Sequence, residues 1–193
     1  MLLRRALPAA AAATLAALLA PPPPRLDPPP NHTPLAAAGR SLDHHLLHAG
    51  FKGPRRLERY DLFLSPDDPP QLVAEALLGS QACGHPRFVH GGAIAALFDD
   101  AMGMLFLSLG KGTGFTANLS VDYRAPLPHG TPLRLSASVA RTEVSQRSGA
   151  LKVYLVARLE GSPAREGDAV KLYAEASALF VVKPPSLGML LGR

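Results

Sequence analysis

His90-Gly91-Gly92-Ala93-Ile94-Ala95-Ala96-Leu97-Phe98-Asp99-Asp100-Ala101-Met102-Gly103 reads as a helix whose first turn is bare backbone and whose middle carries a carboxylate. Apolar side chains recur at 94, 97, 98, 101, 102 and 105, the spacing of one buried helical face. Gly91 and Gly92 stand where a helix leaves its first N–H groups unpaired. With no side chain there, a ligand oxygen can approach those donors and the positive end of the helix dipole. A helix built mostly of Ala, Ile, Leu, Phe and Met is made for burial, so an acid within it needs a reason.

The chain has 193 residues, which suits one domain with a tail, and 47% of them are hydrophobic, enough for a core. The net charge of +5 is unevenly placed. Residues 1–40 hold four arginines, Arg4, Arg5, Arg25 and Arg40, against the single acid Asp27. The remainder is close to neutral, so the basic isoelectric point does not argue for nucleic acid as a partner. One cysteine, Cys83, excludes an intrachain disulfide, and with no partner motif around it a half-buried bystander is the better reading than a nucleophile. Residues 1–20 join two arginines to a long Ala/Leu run without an acid, and residues 21–34 are dominated by proline, which builds no packed element. The apolar run falls short of the roughly 20 residues that span a bilayer, so no transmembrane segment is expected. A mitochondrial transit peptide is the first expectation for this segment; other organelle or secretory targeting, or a plain extension, are the alternatives.

Further along, residues 41–50 read as a short helix with Ser41 as cap and Gly50 as stop. His44 and His48, four apart, are expected on its solvated face, because no acid or Cys partner and no H-E-x-x-H accompanies them. Residues 57–64 alternate as a strand, whereas 71–79 are compatible with strand or helix. Gly84–Val89 is expected to be a loop into the central helix. Gly110–Gly114 lacks the phosphate-loop spacing and reads as helix termination and a turn. Four period-two segments follow, Thr116–Arg124, Leu133–Val139, Leu151–Leu159 and Val170–Val182. In the first, Thr116, Asn118, Ser120, Asp122 and Arg124 share the polar face. In the last, Ala174, Ala176 and Ala178 leave room for a close-lying helix. The expectation is an α+β fold, an antiparallel sheet with its apolar face wrapped around one helix.

No G-x-S-x-G elbow, dinucleotide fingerprint or zinc motif occurs, so no metal and no cofactor are expected. The chemistry then rests on a helix N-terminus and an isolated acid. Thioester hydrolysis suits that pair: it needs a donor for the carbonyl oxygen, a base or nucleophile, and little help for the leaving group, since a thiol of this kind has a pKa of about 8.5. Gly92 and Asp99 lie roughly 10 Å apart along one helix. They cannot easily serve one atom, so an acid from a second copy of the helix is expected to close the gap.

His90-Gly91-Gly92, with Asp99 nine positions after the histidine and Gly103 beyond, resembles the signature of hot-dog-fold acyl-CoA thioesterases of the phenylacetate-pathway type. Thr116-Ala117-Asn118-Leu119-Ser120-Val121-Asp122-Tyr123-Arg124-Ala125-Pro126 and Tyr173-Ala174-Glu175-Ala176-Ser177-Ala178-Leu179-Phe180 are similar to the mitochondrial thioesterase superfamily members four and five. The resemblance covers roughly residues 58–183. It implies a curved antiparallel sheet around one helix and a homodimer, or dimer of dimers, with sites at the subunit interface. Asp99 matches the catalytic acid, Gly91 and Gly92 the donors to the thioester carbonyl, and His90 the residue that fixes their turn. Thr116 matches a hydroxyl that the family places beside the acid of the partner subunit. Asn118 and Arg124 are candidates for binding water and a coenzyme phosphate, and coenzyme A enters as part of the substrate. Asp100 departs from the pattern by doubling the acid; it is expected at the surface. The implied reaction is hydrolysis of medium- to long-chain fatty acyl-CoA to free acid and CoA, the alternative being a non-catalytic acyl-CoA sensor on the same scaffold. The expected organisation is a targeting segment over 1–40, a hot-dog domain over 41–185 and a tail over 186–193.

Overall fold

A computed structural model describes residues 29–35, 45–162 and 169–182. The rest of the 1–40 segment, Ser41, His44 and the 186–193 tail lie outside the described residues. Nine strands are described: β1 (Thr33–Pro34), β2 (Leu57–Leu64), β3 (Leu72–Leu78), β4 (Cys83–His85), β5 (Phe88–Val89), β6 (Phe115–Tyr123), β7 (Pro132–Val144), β8 (Leu151–Gly161) and β9 (Leu172–Val182). One long helix, α1 (Gly91–Ser108), lies between β5 and β6. Seven strands form an antiparallel sheet in the order β1-β2-β3-β7-β8-β9-β6, and β4 and β5 make a small hairpin before the helix where a loop was expected.

The helix packs its apolar stripe on the sheet. Ile94, Leu97, Phe98, Ala101, Met102, Leu105 and Phe106 are buried, the face that the spacing predicts with Phe106 added. Opposite it, Ala174, Ala176 and Ala178 of β9 are buried, and Phe180 stacks on Phe106 with ring centroids 5.1 Å apart. The small side chains bring the helix close, and the aromatic pair fills the space where the stripe ends. Gly110, at φ 64, ends the helix in the left-handed region that a side chain disfavours, so the glycine run is a stop and not a phosphate loop.

Strand β3 settles the ambiguity at 71–79. Every residue from Leu72 to Leu78 is buried, because β3 lies between β2 and β7 with both faces covered. On one face Glu75 is buried but satisfied, accepting from Arg134 Nε at 2.7 Å and from Ser162 Oγ at 2.8 Å. The expectation that the proline-dominated residues 21–34 build no packed element fails at Thr33 and Pro34. Thr33 and Pro34 pair with Leu64 and Phe63, and Leu35 packs on the core. A proline is tolerated there because β1 is an outer strand that need not donate on its free side.

Candidate active site

Two constellations lie along α1. At its start, His90 has extended backbone, φ −66 and ψ 135, and its ring Nδ1 accepts from the Gly92 N–H at 2.8 Å. Gly84 makes room for that ring, since a Cβ there would fall 2.6 Å from His90 Cδ2. The Tyr123 hydroxyl donates to the Gly91 carbonyl at 2.9 Å, which ties the helix start to the end of β6. Of the two glycine donors expected to face a substrate, Gly92 is therefore occupied by its own cap. Among the described residues no group accepts from the Gly91 N–H. The unpaired N–H at the helix start is that of Gly91, and the His90 ring holds the turn through Gly92.

The second constellation surrounds the acids. Thr116 Oγ1 donates to Asp99 Oδ1 at 2.9 Å within one chain. Within the single chain Thr116 thus meets Asp99 of its own helix, and the expectation that it shares a face with Asn118 is corrected. The cause is a bulge at Ala117: Thr116 pairs with Phe180 and Asn118 with Leu179, so the ladder skips one residue. A bulge of this kind flips the side-chain parity and re-aims one residue. Thr116 turns toward the helix, while Asn118 stays exposed on the outward face, away from Asp99. Arg124 is also on that outward side, with Nε 2.9 Å from Glu175 and a guanidinium nitrogen 3.5 Å from Asp122. Its charge is already matched by these carboxylates.

A cavity of about 500 Å³ opens beside Asp99, Asp100 and Thr116 and runs to Gly103, Met104 and Phe180. Its lining is apolar apart from His45, the two acids, Thr113 and Thr116. Asp100 is not the surface residue expected. Its side chain is 5% exposed, with one oxygen 3.2 Å from His45 Nε2 and the other 3.2 Å from His48 Nε2. His48 is itself largely buried, so it does not lie on a solvated helix face. The segment that carries it is a single wide turn, Leu46–Phe51, in which Gly50 N–H reaches the His45 carbonyl and Lys52 N–H the Leu47 carbonyl, five residues back. That wider turn brings His45 and His48 to one point at Asp100; His44 lies outside the described residues. The Tyr60 ring lies 5.5 Å from that of His48, and burial first, then the charge of Asp100, holds its phenol well above the usual range. No element of the sequence pairs these residues; Asp100, in excess of one acid per helix, was the only signal.

Gly91 and Asp99 are eight residues apart, about 12 Å along one helix. A single chain thus presents an unpaired backbone N–H and an acid too far apart to meet on one atom.

Comparison with known proteins agrees with this architecture. Residues 87–147 match the Thioesterase superfamily. Acyl-coenzyme A thioesterase THEM4 of Rattus norvegicus is 34% identical over 102 residues, 53% of this chain and 39% of that protein. The THEM4 of Xenopus laevis is 35% identical over 98 residues, 51% of this chain and 39% of that protein. The chain thus spans about two fifths of the length of these curated relatives. Among solved structures, an acyl-CoA hydrolase variant from Staphylococcus aureus in complex with coenzyme A superposes with a TM-score of 0.52 at 19% identity, over 60% of this chain and 68% of that one. A hypothetical thioesterase from Streptococcus pneumoniae with coenzyme A gives 0.51 at 18% identity, over 67% and 90%. At these identities the likeness shows the fold. The described domain has a hot-dog fold, an antiparallel sheet around one long helix, and its residues 87–147 match the Thioesterase superfamily.

Proposed function

We propose that this chain hydrolyses acyl-CoA thioesters, with Asp99 as the acid that activates water or attacks directly and Gly91 N–H as the donor to the thioester oxygen. The observation that carries the reading is Asp99 itself, half-buried at an apolar cavity and held through one oxygen by Thr116. The Thr116 bond orients the carboxylate and leaves Oδ2 to take a proton. In the water route, Oδ2 accepts that proton as the hydroxide oxygen bonds to the carbonyl carbon. The negative charge that develops on the carbonyl oxygen faces a backbone N–H at a helix start. Collapse breaks the C–S bond, and the thiolate leaves readily at a pKa of about 8.5.

Because the two groups are about 12 Å apart in one chain, the complete site takes Asp99 from one copy and Gly91 from another. Strand β6 supplies the surface for that pairing. Among the described residues it is an outer strand of the sheet with no neighbour on its far side, most of its residues are exposed, and its ends carry Phe115 at 72% and Tyr123 at 53% exposure. An unprotected edge of this length calls for a partner strand. A homodimer joined through β6 brings the helix start of each copy toward the middle of the other helix.

The apolar walls around Gly103, Met104 and Phe180 favour a fatty acyl chain of medium to long length. A Cβ on Gly103 would sit 3.8 Å from the Phe180 ring, so a larger residue there narrows the cavity without an initial clash. The basic, acid-free residues 1–20 support delivery to the mitochondrion, which import into isolated organelles would test.

The test is release of free coenzyme A from acyl-CoAs of graded length and from phenylacetyl-CoA, with Asp99→Asn in parallel. Release that depends on Asp99 and peaks at a fatty chain supports the reading. A folded protein that binds acyl-CoA and releases none would replace it with the sensor reading.

A further inference from the structure

The proposed reaction uses Asp99 and leaves Asp100 without a purpose. Asp100 is the more costly of the two acids to bury. Its side chain is 5% exposed, and among the described residues no lysine or arginine lies within ion-pair distance; its partners are the His45 and His48 rings. A carboxylate withdrawn from water to this degree is retained where a cation or a full set of donors meets it.

We propose that His45, His48 and Asp100 form a binding site for a divalent transition-metal ion of the zinc type. The donor set is two imidazole nitrogens and one carboxylate, which suits Zn²⁺, Co²⁺ or Ni²⁺ and is wrong for Ca²⁺ or Mg²⁺, which take oxygen ligands. The three donor atoms lie within 4.8 Å of one another, and each Nε2 is 3.2 Å from its carboxylate oxygen. Ligands held at about 2.0–2.1 Å around a tetrahedral ion stand about 3.3–3.4 Å apart, so the cluster accepts the ion with small side-chain shifts.

A second observation points the same way. Tyr60 is 4% exposed, its hydroxyl is directed at Asp100, and neither Tyr60 Oη nor His45 Nδ1, both buried, has a hydrogen-bond partner of ordinary geometry among the described residues. Buried polar atoms without a partner beside a carboxylate mark a cluster whose bonding is incomplete without a further group. The site also has the open side that an ion needs. His45 and Asp100 both line the cavity that holds Asp99 and Thr116, so a fourth position on the ion would open to that space. Ligands from the 46–51 turn and from α1 make the ion a clamp between the two elements.

The competing occupants of the cluster are protons, with each ring donating a simple hydrogen bond to Asp100. Untagged full-length protein, stripped with a chelator and dialysed, is titrated with Zn²⁺ alone and with Co²⁺ alone. Bound metal is read by equilibrium dialysis and elemental analysis, and the Co²⁺ form by its visible absorption. The expected result is one equivalent per chain, with the intense visible bands of a low-coordinate nitrogen and oxygen site. Affinity falls about tenfold or more in Asp100→Asn and in His48→Gln, and it is unchanged in His129→Gln, an exposed histidine elsewhere. Zinc raises the thermal midpoint of the wild type and not that of Asp100→Asn. No saturable uptake by the wild type, or uptake that the two cluster variants leave intact, would overturn the site and leave a hydrogen-bonded latch.

Discussion

Asp99 and Asp100 are consecutive residues about 100° apart on the helix, and they stand on opposite flanks of the buried stripe. On one flank β6 offers a single hydroxyl, so Asp99 is oriented and still has an oxygen to spare. On the other flank the 46–51 turn offers two imidazoles, and Asp100 is nearly sealed with both oxygens engaged. The helix treats the two positions alike. What separates them is the element packed alongside, one leaving a carboxylate free for chemistry and the other tying its neighbour into structure.

The contrast can be broken by substitution. Asp99→Asn keeps the shape and the Thr116 contact but removes the proton acceptor, and kcat should fall by about 10³-fold with acyl-CoA binding little changed. Turnover that survives would return Asp99 to the structural role now given to its neighbour. Thr116→Val removes only the orienting bond. Here kcat should drop by about tenfold with KM nearly constant, the size expected for one hydrogen bond to a charged group. Asp100→Asn should act in the opposite sense, costing about 1–3 kcal/mol of stability in a denaturant titration while kcat falls far less than for Asp99→Asn. Equal loss of turnover in the two variants would erase the distinction. Tyr123→Phe frees the Gly91 carbonyl from its strand and should cost about 1 kcal/mol with a small rise in KM, the smallest effect of the four.

The sequence made the helix, its buried face and the alternating strands readable, because each rests on a periodicity that burial enforces. It could not decide β3, since a strand covered on both faces has no alternation to display. It ranked neither acid, because Asp99 and Asp100 flank the apolar stripe almost symmetrically. Thr116 was singled out, yet its surroundings were misread: the bulge at Ala117 carries no residue signature and reverses the face of everything before it. The buried side of His48 is hidden for a related reason: a solvated helix face assumes an α-helix, and the wide turn at Leu46–Phe51 sets His48 against His45 and Asp100. In each case a local departure from ideal geometry re-aimed the side chain that matters.

The central claim is that one site is built from two chains, and mixing two inactive variants tests it. Gly91→Pro removes the N–H donor at the first helical position, where proline is well tolerated and where the extended His90 before it already has suitable backbone angles. Asp99→Asn removes the acid. When the two proteins are unfolded together and refolded at equal amounts, half of the dimers are mixed, and each mixed dimer holds one site with Gly91 from one chain and Asp99 from the other. The account predicts recovery of about one quarter of wild-type turnover. A mixture that forms mixed dimers and stays as inactive as its parents would contradict a shared site and place the whole reaction within a single chain.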